Sequence, residues 1–272
     1  MQLGSVGIWR SRRHGIDGVA EIEALGYAAL WVGGSPSVEQ IRPFLEESER
    51  LIIATGILNV WRDQVLSVAA GHAEITREFP DRFLLGLGVG HPEAESDYRR
   101  PLTAMREFLD ALDAADPPVP REQRVLAALG PKMLDLAAER SLGAHPYFTT
   151  PEHTRFARER LGPDALLAPE LAVVVEEDGH AGREIARTYA ASYLRLRNYT
   201  SNLLRFGFTD ADLADGGSDR LIDAVIPHGT PERVADAVRA HLDAGADHVC
   251  VQPLGHGGNP VEDYRALAAE LL

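Results

Sequence analysis

The stretch DRFLLGLGVGHP occupies residues 81–92. Arg82 to Leu85 enter an apolar run, glycines then alternate with Leu87 and Val89, and the run closes at Gly90-His91-Pro92. A strand that is apolar on both faces suits a parallel sheet covered on both sides. Gly86, Gly88 and Gly90 strip side chains from it, which weakens a strand unless something has to approach its backbone. The stretch reads as a buried parallel strand whose C-terminal end opens onto a ligand, with His91 at the mouth. The plainer alternative is a glycine-softened core strand with a solvated histidine.

Three strands are expected before it: Leu3 to Trp9, Ala28 to Val32 and Leu51 to Val60. Helices fall between and after them, at Gly15–Gly26, Val38–Glu49 and Gln64–Phe79, the last stopped by Pro80. After it come a helix over Tyr98–Ala115, a strand at Arg124–Leu129, a helix at Lys132–Leu142 and a strand at Ala144–Phe148. Thr150-Pro151 then opens a helix with an N-cap and a proline in its first turn. Leu171–Val175 is the seventh strand, followed by a long helix over Ala181–Tyr199 and an irregular excursion at 200–226. Thr230-Pro231 caps a further helix, His248–Pro253 is the eighth strand, and Asn259-Pro260 caps the last helix. Eight short strands alternating with helices predict an α/β chain folded as one (β/α)8 TIM barrel over residues 1–272. An open doubly wound sheet would need a GxGxxG turn in the first βαβ unit; here GxGxG lies in the fourth strand.

The chain has 272 residues and a formal charge of -14, which disfavours a nucleic-acid partner. Apolar residues make up 45%, enough for a large core. The single cysteine, Cys250, allows no internal disulfide. The N-terminus lacks the charge order of a signal peptide and no apolar run reaches a membrane-span length, so a soluble, cytoplasmic protein without a membrane partner is expected.

In such a barrel, chemistry sits at the C-terminal ends of the strands. Trp9, Gly33-Gly34-Ser35, Gly56-Ile57 to Asn59, Val89-Gly90-His91, Leu129-Gly130, Phe148-Thr149 and Gln252 fall there. The set is poor in carboxylates and rich in glycine, aromatics and amides. It suits a flat, partly apolar small molecule with a phosphorylated tail better than paired-acid hydrolysis. Leu129-Gly130-Pro131-Lys132 places a glycine before a helix and adds a cation, which makes an anion turn or simply a helix start. Thr150 is expected to cap its own helix, leaving Thr149 free. Lys132 is the chain's only lysine and is badly placed for Schiff-base chemistry. No HxH or HExxH motif is present, so no metal site is expected. Of the ten histidines, His72, His153 and His241 look like helix-surface residues, while His91 stands at a strand mouth where an imidazole can exchange protons near neutral pH. Positioning of a ligand and capping of the next helix are the other readings of His91. Trp61, Tyr193, Tyr199 and Asn202 are candidates for a substrate cavity, with helix packing the alternative for the tyrosines.

The segments ALGYAALWV, LIIATGILNVW, DRFLLGLGVGHPE and GTPERVADAVRAHLDAGADHVCVQPL, in this order and spacing, resemble the luciferase-like superfamily of flavin and deazaflavin oxidoreductases. ATGILNVW, LGLGVGHP and ARTYAASYLRLRNYTSNLLRFGF resemble its actinobacterial branch of coenzyme F420 users. The resemblance implies a TIM barrel, a non-prolyl cis peptide at Gly56-Ile57 supporting the ring, coenzyme contacts at Asn59 and at Val89-Gly90-His91, and phosphate binding at Leu129, Gly130 and Lys132, with Thr149 beside them. A substrate pocket formed by Trp9, Ser35, Trp61 and Tyr199 is expected, with His91 as proton donor or hydrogen-bonding partner. One dehydrogenase branch carries a glutamate where His91 stands and an Asp-His pair where Gly34-Ser35 stand, so sugar-phosphate dehydrogenation is disfavoured.

The implied activity is coenzyme F420-dependent hydride transfer with a small organic substrate. An FMN-dependent monooxygenase, a non-catalytic flavin-binding or dimer-partner protein, and a phosphate-binding isomerase are the alternatives. The family often forms homodimers through barrel helices, and Leu66, Val68, Ala69 and Ala70 are apolar or small enough to allow one.

Overall fold

The computed structural model describes residues 1–93, 98–255 and 260–272. Its strands are β1 (Val6–Ser11), β2 (Ala29–Gly33), β3 (Ile52–Thr55), β4 (Leu58–Asn59), β5 (Phe83–Gly88), β6 (Arg124–Leu126), β7 (Gly143–Ala144), β8 (Leu166–Leu167), β9 (Glu170–Val175), β10 (His228–Gly229) and β11 (Val249–Pro253). Every pairing is parallel. From β1 the sheet runs one way through β2, β3, β5, β6 and β7 to β8, and the other way through β11 to β9. β8 and β9 belong to one extended segment, 166–175, whose first part pairs β7 and whose second part pairs β11. That segment closes the barrel. β3 and β4 are likewise halves of one strand, both paired to β5 and split by a bulge at Gly56-Ile57. The result is the expected eight-position α/β barrel.

Around it lie α1 (Val19–Ala24), α2 (Arg42–Glu46), α3 (Val65–Glu78), α4 (Pro101–Ala114), α5 (Pro131–Arg140) and α6 (Pro151–Leu161). The chain after β9 departs from the simple alternation. α7 (Gly179–Tyr193), α8 (Arg197–Arg205), α9 (Asp210–Leu213) and α10 (Asp219–Val225) precede α11 (Pro231–Asp243), and α12 (Val261–Leu271) ends the chain. α11 packs on α6, α12 and the strands β9 and β11, so it is the seventh barrel helix. The expected single helix over 181–199 is two helices, broken at 194–196, and the stretch 200–226 is largely helical rather than irregular. Together these helices form a cap held by its own apolar cluster, in which Ala186, Ala190, Leu203 and Ile222 meet Phe148 of the barrel. Sequence periodicity marks a helix but not which layer it joins, because cap and barrel helices both bury one face. Asn259, expected to cap the last helix, lies outside the described residues.

The glycines of β5 have a neighbour other than a ligand. A Cβ on Gly86 would stand 1.9 Å from the Thr55 carbonyl oxygen, and one on Gly88 would stand 2.5 Å from Ile57 Cδ1. Thr55 Oγ1 donates to Gly86 O at 2.7 Å and accepts Gly86 N–H at 2.8 Å. The strand is therefore stripped to admit the bulge of its neighbour, and only Gly90 reaches cavity walls.

Inside the barrel, Trp31, Leu84, Val125 and Cys250 fill the lower layers. Trp31 Nε1 donates to His248 Nε2 at 3.1 Å, which satisfies both buried rings. His72, His153 and His241 are 2%, 0% and 1% exposed, which corrects their reading as surface residues. Helical spacing places a residue on a face but cannot tell which face is covered. Of the four residues considered for a dimer face, Val68 and Ala69 are core, while Leu66 is exposed. No described helix is long and apolar enough to cross a membrane.

Gly86→Ala should lower the unfolding free energy by about 3 kcal/mol, since its methyl meets backbone rather than a movable side chain. Chemical denaturation measures this, and an unchanged midpoint would mean that β3 and β5 are not in this contact.

Candidate active site

Two cavities open at the C-terminal ends of the strands beneath the cap, and Gly90 lies in the wall of both. The first, of about 500 Å³, is aromatic and uncharged. Trp9, Ser35, Gly56, Ile57 and His91 line it from the barrel, as do His145 and Tyr147. Tyr189, Tyr193 and Tyr199 close it from the cap. No Asp, Glu, Lys or Arg is among the described residues of its wall. The Gly56-Ile57 peptide is cis, as the resemblance implied. A Cβ at Gly56 would stand 2.6 Å from Trp9 Nε1, so only glycine lets the bulge lie against that indole.

The phenols join cap to barrel. Tyr147 Oη bonds the Tyr189 hydroxyl, lies 3.1 Å from Tyr193 Oη, and donates to Gln252 Oε1 at 2.8 Å. Burial raises the pKa of Tyr147, Tyr189 and Tyr199 well above the ordinary value, so all three stay protonated.

His145 is 1% exposed and stacks on Trp31 with ring centroids 4.2 Å apart. Its Nδ1 lies 2.7 Å from Ala168 O, and a carbonyl only accepts, so Nδ1 carries the hydrogen. Nε2 is then a lone-pair acceptor, and it has no partner among the described residues. Burial lowers its pKa to about 4, which keeps the ring neutral. Trp9 Nε1–H is likewise buried without an acceptor. Both nitrogens stand within 3.5 Å of the point where a side chain on Gly56 would begin. One donor and one acceptor thus lie unspent at the same wall of the cavity, and buried polar groups rarely stay so without a ligand or water.

His91, on the rim between the cavities, packs against Tyr199 with ring centroids 5.0 Å apart. Asn198 Nδ2 lies 3.4 Å from His91 Nδ1 and donates to Gly90 O at 3.3 Å. An amide nitrogen only donates, so His91 Nδ1 accepts and its hydrogen sits on Nε2.

The second cavity, of about 560 Å³, is basic. Leu129, Gly130 and Lys132 form one side, with Val89 and Gly90 beside them. Arg197, Ser201 and Arg205, spaced one helical turn apart on α8, face them together with Asn198 and Asn202. No carboxylate is among the described residues of this wall. Gly130 is the N-cap of α5, and its carbonyl accepts Met133 N–H at 3.1 Å. Pro131 has no N–H, so the free donors at this helix start are few and the cations carry more of the field.

Several expected residues lie elsewhere. Asn59 Oδ1 accepts Trp61 N–H at 3.0 Å, so its side chain braces its own turn. Trp61 Nε1 donates to Val89 O at 2.7 Å from behind the rim. Thr149 is buried with Oγ1 unpartnered but lies in neither wall. Thr150 makes no side-chain cap to α6, contrary to expectation. His145, Tyr147, Tyr189, Arg197 and Arg205 were missed by the sequence reading. The four-residue spacings of Tyr189–Tyr193 and Arg197–Ser201–Arg205 were the available signals.

No protein-family model matches the chain, and no curated protein sequence matches it. Solved structures do. An F420-dependent secondary alcohol dehydrogenase, in complex with an F420–acetone adduct, superposes with a TM-score of 0.76 at 13% identity over 98% of each chain. The coenzyme F420-dependent tetrahydromethanopterin reductase from Methanopyrus kandleri gives 0.73 at 15% over 98% of each. The oxygenating constituent of 3,6-diketocamphane monooxygenase from the CAM plasmid of Pseudomonas putida, in complex with FMN, gives 0.69 at 15% over 100% and 99%. The chain has the luciferase-like TIM-barrel fold that these enzymes share.

Below the aromatic cavity Glu170 is fully buried. Its Oε2 accepts Phe148 N–H at 3.3 Å, and its Oε1 has no partner among the described residues. Burial raises its pKa from 4.5 to about 8, so the folded chain keeps a proton that the unfolded chain releases over that window. The contribution of this carboxyl to stability therefore falls as pH rises between those values, while the buried histidines, lowered from 6.5 to about 4, add an opposite slope over the acid part of the window. Glu170→Gln keeps the histidine slope and loses that of Glu170, so its stability minus that of the wild type should rise with pH across the window by on the order of a few kcal/mol. Denaturation of both proteins at a series of pH values reads this; a difference that does not change with pH would show Glu170 ionising as easily folded as unfolded.

Proposed function

We propose that the chain is a coenzyme F420-dependent oxidoreductase that moves a hydride between the deazaflavin and a small organic substrate. The reading rests on the partition of charge across Gly90: an aromatic cavity with no charged side chain among the described residues of its wall on one side, and Lys132, Arg197 and Arg205, with no carboxylate among the described residues of that wall, on the other. A tricyclic ring with a polyanionic tail matches that partition. FMN carries a single phosphate, whereas the tail of F420 bears a phosphodiester and further carboxylates, which three cations suit better. The aromatic cavity also fits the ring: its wall is bare at Gly56, and Trp9 Nε1–H and His145 Nε2 await partners.

Gly56, Ile57 and Gly90 would cradle the ring, and Gly130, Lys132, Arg197 and Arg205, with Val89 beside them, would hold the tail. When bound, the deazaflavin supplies or accepts a hydride at C5. The tyrosines exclude water and stay protonated, which keeps the cavity uncharged. His91, with Nδ1 accepting from Asn198, would present its Nε2–H at the mouth as a hydrogen-bond donor to a substrate oxygen on which charge develops.

Fluorescence titration of the apo-protein should give tighter binding of F420 than of FMN, weakening with salt as the exposed cations are screened. His91→Ala should lower turnover about 100-fold while changing coenzyme affinity far less. Tight FMN binding with no response to F420 would make the protein a flavin enzyme instead, and undiminished turnover would remove His91 from the mechanism.

A further inference from the structure

We infer that His153 is the positioning residue of the anion turn, aiming the Gly130 amide into the basic cavity and bracing the facing wall from the same ring. This rests on the reading above that an anionic group binds there. His153 lies in the first turn of α6, is 0% exposed, and belongs to neither cavity wall. Its Nε2 is 3.0 Å from Leu129 O. A carbonyl accepts only, so Nε2 carries the hydrogen and the Leu129 carbonyl points at the imidazole.

The consequence follows from peptide geometry. The Leu129-Gly130 peptide is planar and trans, since the cis bonds among the described residues are Gly56-Ile57 and Asp116-Pro117. In a trans peptide the N–H points opposite to the C=O. With the carbonyl turned into the protein toward His153, the Gly130 N–H is turned outward, and Gly130 borders the cavity where Lys132, Arg197 and Arg205 gather. A Cβ on Gly130 would meet nothing within 4 Å, so the glycine is not required by crowding.

The same imidazole supports the other wall. Its ring meets Phe206 edge-on, with centroids 5.3 Å apart. Phe206 is the C-cap of α8, next to Arg205. One buried side chain therefore sets the amide on the barrel side and backs the helix end that presents a guanidinium on the cap side. Burial lowers its pKa to about 4, with Arg205 adding to the shift, so the anchor keeps one protonation state at neutral pH.

FMN and riboflavin, which differ by one phosphate, are the probes, alongside F420 and its phosphate-free core. Their dissociation constants are measured by fluorescence on the wild type and on His153→Leu, His153→Asn and His153→Gln. The wild type should prefer the phosphorylated member of at least one pair. His153→Leu and His153→Asn should lose about tenfold of that preference, because one has no donor and the other ends short of Leu129. His153→Gln, whose terminal N–H reaches as far as Nε2, should keep it. Riboflavin and the phosphate-free core should bind all four proteins alike, which separates loss of the turn from general damage. If folded His153→Leu or His153→Asn keeps the wild-type preference, or His153→Gln loses it, the assignment is wrong. A wild type with no preference in either pair would instead bring down the anion reading itself, and the inference with it.

Discussion

The contact between β5 and the bulge that splits β3 from β4 is the constraint on which the site depends. Gly86 admits the Thr55 carbonyl, and the Thr55 hydroxyl completes the ladder where the backbone bulges by bonding both Gly86 N–H and Gly86 O. Buried backbone groups have to be paired, so a bulge inside a parallel barrel needs such a substitute partner. With Ile57 packed on Gly88, the bulge is pressed outward far enough for Gly56 to face Trp9 and the aromatic cavity. The cavity wall is thus a by-product of strand packing one layer below.

Charge is the second organising element. The chain is strongly acidic, and several of its arginines are paired with nearby carboxylates, as Arg124 is with Asp113 and Arg158 with Asp247. Lys132, Arg197 and Arg205 gather at one cavity whose described wall holds no acid. Local focusing of this kind attracts an anion to one place on a molecule that otherwise repels it. The neighbouring cavity has the opposite character. Its four tyrosines are too deeply buried to ionise, and His145 is too deeply buried to protonate, so it offers oriented dipoles without net charge. Dipoles fixed in such water-poor surroundings act on a bound ligand without the cost of reorganising.

Both cavities need the cap. Tyr189 and Tyr193 come from α7, and Arg197, Asn198 and Arg205 from α8, while every facing group comes from the barrel rim. The phenol cluster around Gln252 and the His153–Phe206 contact are the polar and aromatic seams between the two layers. A cap that packs its own apolar cluster onto Phe148 keeps those seams in place.

By itself, the sequence determined the barrel, its eight strand positions and the segments that reach its C-terminal rim. Short apolar runs, glycine stops and N-cap signals are local, and a strand or helix announces itself over a few residues. The same locality marked His91, Gly130 and Lys132, which line the two cavities, because each sits where one element ends and another begins. Tertiary structure alone decided that α7 and α8 form a cap rather than barrel helices, that β5 glycines serve the neighbouring strand, that His145 is a buried anchor, and that His72, His153 and His241 are buried rather than on the surface. Those facts depend on what lies across a cavity or behind a turn, between groups far apart in the chain. Periodicity shows that a helix has a covered face, but only packing chooses which residues cover it.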